Sequence, residues 1–144
     1  MIKTIKGAQK LLGVKFDYNK EENMFSKYVD LSTRIEDADV AIFITDMGLT
    51  SINCFYDYEI NETKRADVLE YIARVNSSLI KGGFYFDFEA NVPYFQFTIY
   101  NITDSELIAF EINYVIEMAI KYANGFVEIN EDGLTALDVI EDEE

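Results

Sequence analysis

Residues 82–106 read GGFYFDFEANVPYFQFTIYNITDSE. Phe84, Phe86 and Phe88 alternate with Tyr85, Asp87 and Glu89, and after a turn over residues 90–93, Phe95, Phe97 and Ile99 alternate with Tyr94, Gln96, Thr98 and Tyr100. Period two places successive side chains on opposite faces, so the stretch predicts two strands of a hairpin. Each strand has one apolar and one mixed face, the pattern of a sheet covered by helices on one side only. The stretch ends on Thr103, Asp104, Ser105 and Glu106, a T-x-x-E capping box whose side chains satisfy the free amides at a helix start.

Working outward, the helix begun there reaches at least Ala123. Its polar positions, Glu106, Asn113, Glu117 and Lys121, form a narrow stripe, and Gly125 reads locally as its stop. So apolar a circumference must be covered on more than one side, by other elements of the chain or by a second subunit. Upstream, Ala66, Leu69, Ile72, Ala73, Val75, Leu79 and Ile80 fall at steps of three and four, predicting a helix over residues 63–80 capped by Gly82 and Gly83. Residues 4–12 predict a short first helix on Ile5, Ala8, Leu11 and Leu12, with Gly13 as terminator.

Between these two helices alternation dominates. Val14, Phe16 and Tyr18 open a candidate strand, and residues 25–35 read as a second. Residues 36–39 form a charged turn, residues 40–45 a β-branched strand, residues 46–48 a turn, and residues 49–58 a strand setting Ile52, Cys54, Tyr56 and Tyr58 against Asn53, Phe55 and Asp57. Short links make these an antiparallel meander. The order is helix, three or four strands, helix, two strands, helix: an α+β fold with an antiparallel sheet packed against helices.

The 144 residues make a single domain, with residues 141–144 an acidic tail expected to fray. There are 27 Asp and Glu against 12 Lys and Arg, a net charge of −15, unevenly spread: +3 over residues 1–27, −5 over 28–81 and −13 over 82–144. With 49% hydrophobic and 15% aromatic residues, the acidic half folds instead of remaining disordered. The charge argues against nucleic acid and anionic membrane as partners. No secretory or membrane-spanning apolar run occurs, which points to a cytoplasmic protein.

Candidate chemistry is sparse. No histidine is present to serve as base or metal ligand, and the single cysteine, Cys54, has no activating neighbour and reads as a buried thiol. The carboxylate clusters, Glu36 with Asp37 and Asp39, Asp87 with Glu89, and Glu131 with Asp132 beside the Asn130 amide, match no calcium-loop pattern and read as solvated surface. Asn76, near a helix end, is expected to bond an adjacent loop. No glycine-rich phosphate loop precedes a helix. The expectation is therefore no catalytic residue, no metal and no cofactor. The surplus aromatics carry more information: Tyr85, Tyr94 and Tyr100 share the mixed sheet face and, if uncovered, form an amphipathic platform for a protein partner.

The segment over residues 65–129 resembles the YbjN family of bacterial proteins, which have a type III secretion chaperone-like fold. It shows a helix carrying Asn76 and ending at Gly82 and Gly83, two aromatic strands and a long helix. The resemblance implies an α-β-β-β-α-β-β-α order, frequent homodimers, and a chaperone-like or sensory-transduction regulatory role, mostly without a demonstrated activity; the sparse catalytic groups give the expectation of a non-enzymatic protein. It also implies that the third helix continues past Gly125 through Phe126 and Ile129, with a short terminal helix over residues 134–140, against the local reading of Gly125. Two functions follow as expectations: binding of another polypeptide or, as the alternative, an acidic decoy occupying a basic nucleic-acid-binding protein.

Overall fold

The structure is a computed structural model describing residues 1–100 and 103–143. Gly13, at φ 68°, closes the first helix, α1 (Ile2–Leu12), which buries Thr4, Ile5 and Ala8 but leaves Leu11 exposed. The strands are β1 (Asp17–Asn19), β2 (Met24–Asp30), β3 (Asp37–Ile44) and β4 (Leu49–Tyr56). After a 3₁₀ turn at Glu62–Lys64 come α2 (Arg65–Asn76), β5 (Gly83–Asp87), β6 (Val92–Tyr100), α3 (Ser105–Glu131) and α4 (Ala136–Glu143). All strand pairs are antiparallel, in the order β1-β2-β3-β4-β6-β5.

Side-chain parity divides the sheet into two unlike faces. Val40, Ile42, Ile52, Cys54, Phe84 and Phe95 point inward into one core shared with the four helices. The long helix α3 lies over this face, tied down where the Tyr56 hydroxyl donates to the Ala119 carbonyl at 2.6 Å. α1 packs along α3, and α4 packs against α2 and α3. Elements of the same chain therefore cover most of α3, leaving Leu107, Phe110 and Ile120 exposed among its large apolar residues.

Several boundaries differ from the sequence reading, each for a local reason. The strand expected over residues 25–35 ends at Asp30, whose carboxylate accepts the Ser32 amide at 2.8 Å while Ser32 takes a left-handed φ of 54°. Leu31 and Ile35 are still buried, but by a loop. Asp37 and Asp39 belong to β3 and not to a turn, and Glu89 lies in the hairpin turn, off the strand. α2 stops at Asn76, where the Ser77 and Ser78 hydroxyls donate to the Arg74 and Val75 carbonyls, and Ile80 is 100% exposed instead of completing an apolar face. The cap of α3 is Asp104, not Thr103, its carboxylate accepting the Glu106 and Leu107 amides. α3 runs through Gly125 and a terminal helix follows, as the family resemblance implies; α4 carries Glu141 and Asp142, which composition assigns to a frayed tail.

Candidate functional site

Among the described residues no helix lies on the outward face of the sheet, and strand register arranges its side chains in rows. One row crosses five strands: Tyr28 of β2 pairs with Asp39 of β3, Asp39 with Phe55 of β4, Phe55 with Tyr94 of β6, and Tyr94 with Tyr85 of β5. The Phe55 and Tyr94 rings lie 4.7 Å apart between centroids, and Tyr85 stacks on Tyr94 at 5.7 Å with planes 24° apart. Tyr28 is 66% and Tyr85 48% exposed. Aromatic pairs across strands hold each other in place, so the row is a rigid surface.

The adjoining row fixes that surface from one side. Gln96 donates to the Asn53 side-chain oxygen at 2.8 Å, and Asn53, itself buried, donates to the Ser51 hydroxyl at 3.0 Å. On the other side the border is acidic: Asp30 opposes Asp37, Asp57 follows Phe55, and Asp87 ends β5. Tyr28, Asp39, Phe55, Asp57, Asp87 and Val92 line a shallow depression of about 220 Å³. Asp87 is held by accepting the Glu89 and Ala90 amides. Burial pushes the Tyr94 hydroxyl above the usual tyrosine range, with the charge of Asp87 and the neighbouring Tyr85 adding to it.

Asp39, set between Tyr28 and Phe55, is held above the usual carboxylate range by burial. An acid whose folded pKa exceeds its unfolded value, about 3.9, binds more protons folded than unfolded between the two, so its contribution to stability declines as pH rises through the folded value. Asp39→Asn is therefore expected to be slightly more stable than wild type at pH 7, the margin shrinking as pH falls through the folded value and vanishing below the unfolded one. Thermal melts from pH 3 to 7 check this, and a variant less stable than wild type at neutral pH would refute it.

The structure thus brings together Tyr85 and Tyr94 of the three tyrosines singled out in the sequence. Tyr100 shares their face and is 76% exposed, but it pairs with Leu49 at the far end of β6. Six residues beyond Tyr94, at about 3.4 Å each, place it about 20 Å away. Sequence reasoning did not connect Tyr28, Phe55 and Asp39 to the platform. Parity alone put the first two on the polar sides of their strands; that β6 inserts beside β4 is what aligns them.

Cys54 is inward and buried, its thiol pushed up to about 12 by burial and then by the charge of Asp39, so it stays a protonated core thiol. Asn76 bonds a strand instead of a loop, accepting the Phe84 amide at 2.8 Å and donating to the Phe84 carbonyl at 2.9 Å, as a neighbouring strand would at the edge of β5. Among the described residues, no group of three or more His, Cys, Asp and Glu is placed to hold a metal, and no helix is long and apolar enough to cross a membrane.

No family model and no curated relative matches the chain. Solved structures do. The crystal structure of YbjN, described as a candidate transcription regulator from E. coli, aligns over 87% of this chain and 92% of that one, with TM-score 0.65 and 13% identity. A chain of the HopA1–SchA chaperone–effector complex aligns over 88% of this chain and 91% of its own, with TM-score 0.61 and 8% identity. With a six-stranded antiparallel sheet and its helices in the same order, the chain has a YbjN-like, chaperone-like α+β fold.

Proposed function

We propose that this is a cytoplasmic, non-enzymatic bacterial protein of chaperone-like or regulatory kind, which binds another polypeptide on its open sheet face. The observation that carries the reading is the aromatic row from Tyr28 to Tyr85, ordered by register and left without a helix above it. One structural neighbour is a chain of a chaperone–effector complex, which supports a polypeptide ligand. Aromatic side chains give the largest contact area for the least loss of rotamer freedom, which is why they dominate binding hot spots.

Copurification from the native cell tests this. The wild-type chain should retain a protein partner, and Tyr85→Ala with Tyr94→Ala should weaken retention by about tenfold or more, since a truncated hot-spot aromatic costs about 2 kcal/mol. Tyr100→Ala, at the far end of the face, should change retention little. Undiminished capture by the double variant would remove the aromatic row as the site.

The acidic decoy is the second reading, favoured by the carboxylate border along the same face. A decoy holds its partner through charge alone, so its capture should survive the tyrosine substitutions and fall steeply with salt. A homodimer, if formed, has an apolar surface around Phe110 and Ile80, where a groove of about 510 Å³ lies between residues 78–81 and α3. Gel filtration of the same sample decides it, and a strict monomer excludes it.

A further inference from the structure

We propose that the open face takes an extended segment bearing arginines, an inference that rests on the polypeptide-binding reading above. Three features of the face point to that chemistry. The first is charge. Asp17, Asp30, Asp37, Asp39, Asp57 and Asp87 all lie on the open face or at its rim, and the strand positions of that face hold no Lys or Arg among the described residues. The three ion pairs of the described residues, Arg34–Asp132, Arg74–Glu70 and Lys81–Glu111, involve none of these six.

The second feature is a local conflict. Asp30 stands directly opposite Asp37 across the β2–β3 ladder, an arrangement that destabilises a sheet, whereas opposite charges there would stabilise it. Violations of this kind are expected where a site is completed by something outside the chain. A cation laid over the pair turns the repulsion into attraction.

The third is the interleaving of rings and carboxylates. Asp39 sits between Tyr28 and Phe55, and Asp87 lies beside Tyr85 and Tyr94. An arginine guanidinium is planar and weakly hydrated, so it stacks on an aromatic face while its edge forks onto a carboxylate. Lysine offers a compact, strongly hydrated charge that does the first less well and the second without the fork. The row spans four inter-strand gaps of about 4.8 Å, close to 20 Å, which an extended segment of about six residues crosses with its alternate side chains facing the sheet. A polyanion or an anionic lipid surface would meet only like charge here.

The test uses the full chain and three synthetic peptides of about a dozen residues, in which arginine, lysine or glutamine alternates with threonine and valine, followed by fluorescence anisotropy. The arginine peptide should bind, the lysine peptide more weakly, and the glutamine peptide about tenfold or more below the arginine one. Asp39→Asn, Asp57→Asn and Asp87→Asn together should lower arginine-peptide affinity about tenfold and flatten its dependence on salt. Asparagine keeps the acceptor that residue 87 supplies to its turn, and circular dichroism verifies folding. Glu106→Gln, Glu117→Gln and Glu141→Gln, which remove equal charge from the helical side, should leave affinity nearly unchanged.

Absence of arginine-peptide binding, equal binding of the arginine and glutamine peptides, or equal loss with the helical-side variant each overturns the proposal. If the arginine and glutamine peptides bind equally and Tyr85→Ala with Tyr94→Ala abolishes both, the arginine preference falls while the polypeptide-binding face stands. Partner capture undiminished by those tyrosine substitutions removes the aromatic row, and with it the polypeptide-binding reading.

Discussion

Lys81→Met is expected to destabilise the protein by about 3 kcal/mol, the lower end of what breaking a buried ion pair costs. The Lys81 ammonium donates to both carboxylate oxygens of Glu111 at 2.8 Å, and Glu111 is only 5% exposed on the inner side of α3. Three rings complete the enclosure: Tyr114, Phe97 and Phe110 lie 4.4, 5.1 and 5.2 Å from the ammonium. Methionine fills the volume of the lysine stem, so the loss isolates the charge. It leaves a carboxylate among aromatic faces whose negative charge density repels it. The Lys81 side chain remains one-third exposed, so water relieves part of the penalty, hence the lower figure. Urea denaturation measures it. Adding Glu111→Leu should restore most of the loss, because the penalty is an unpaired charge and not a missing attraction. A single variant within about 0.5 kcal/mol of wild type would show that the pair behaves as a surface bridge. The consequence reaches the open face: the Tyr114 hydroxyl donates to the Lys81 carbonyl at 2.8 Å, fixing the chain just before β5, which carries Tyr85.

That ion pair was invisible in the sequence, since Lys81 and Glu111 lie 30 residues apart and Glu111 falls in a helix where acids usually face water. The legible parts were those governed by local periodicity. The alternation at residues 84–87 and 94–99 survives as β5 and β6 because a sheet covered on one side imposes period two on both, whereas Phe88 falls in the turn and is exposed. The failures sit where a side chain overrides the pattern. Asp30 and Ser32 bend the chain out of a strand that the apolar spacing of Leu31 and Ile35 would continue. Of the platform, Tyr85 and Tyr94 follow from the hairpin register alone. Tyr28, Phe55 and Asp39 join them only through the order of strands in the sheet, a long-range choice that parity does not encode.

Gly125→Ala is expected to destabilise by about 2–3 kcal/mol, the reverse of what helix propensity predicts. In an α-helix interior the change should gain about 1 kcal/mol, because glycine surrenders more backbone freedom. Here a methyl group would overlap the Tyr71 hydroxyl and lie 2.5 Å from its ring Cζ and 3.0 Å from Val139 Cγ1. Neither neighbour can yield cheaply. Tyr71 is fully buried and packs edge-on against Phe126 at 5.0 Å, so its ring has nowhere to swing and α2 must move away from α3. Glycine stands in this helix for close approach, which is why it does not end it. Tyr71→Leu removes the ring that blocks the methyl. In that background Gly125→Ala should become neutral or mildly stabilising, and a double-mutant cycle by urea denaturation reads the coupling. Stabilisation by Gly125→Ala alone would sink the argument. The same displacement should be felt at the open face, because Asn76 at the end of α2 holds both backbone groups of Phe84. Moving α2 shifts the edge of β5, and with it Tyr85 against Tyr94. Folded Gly125→Ala should therefore retain less partner than wild type, although residue 125 lies on the opposite side of the sheet from the platform.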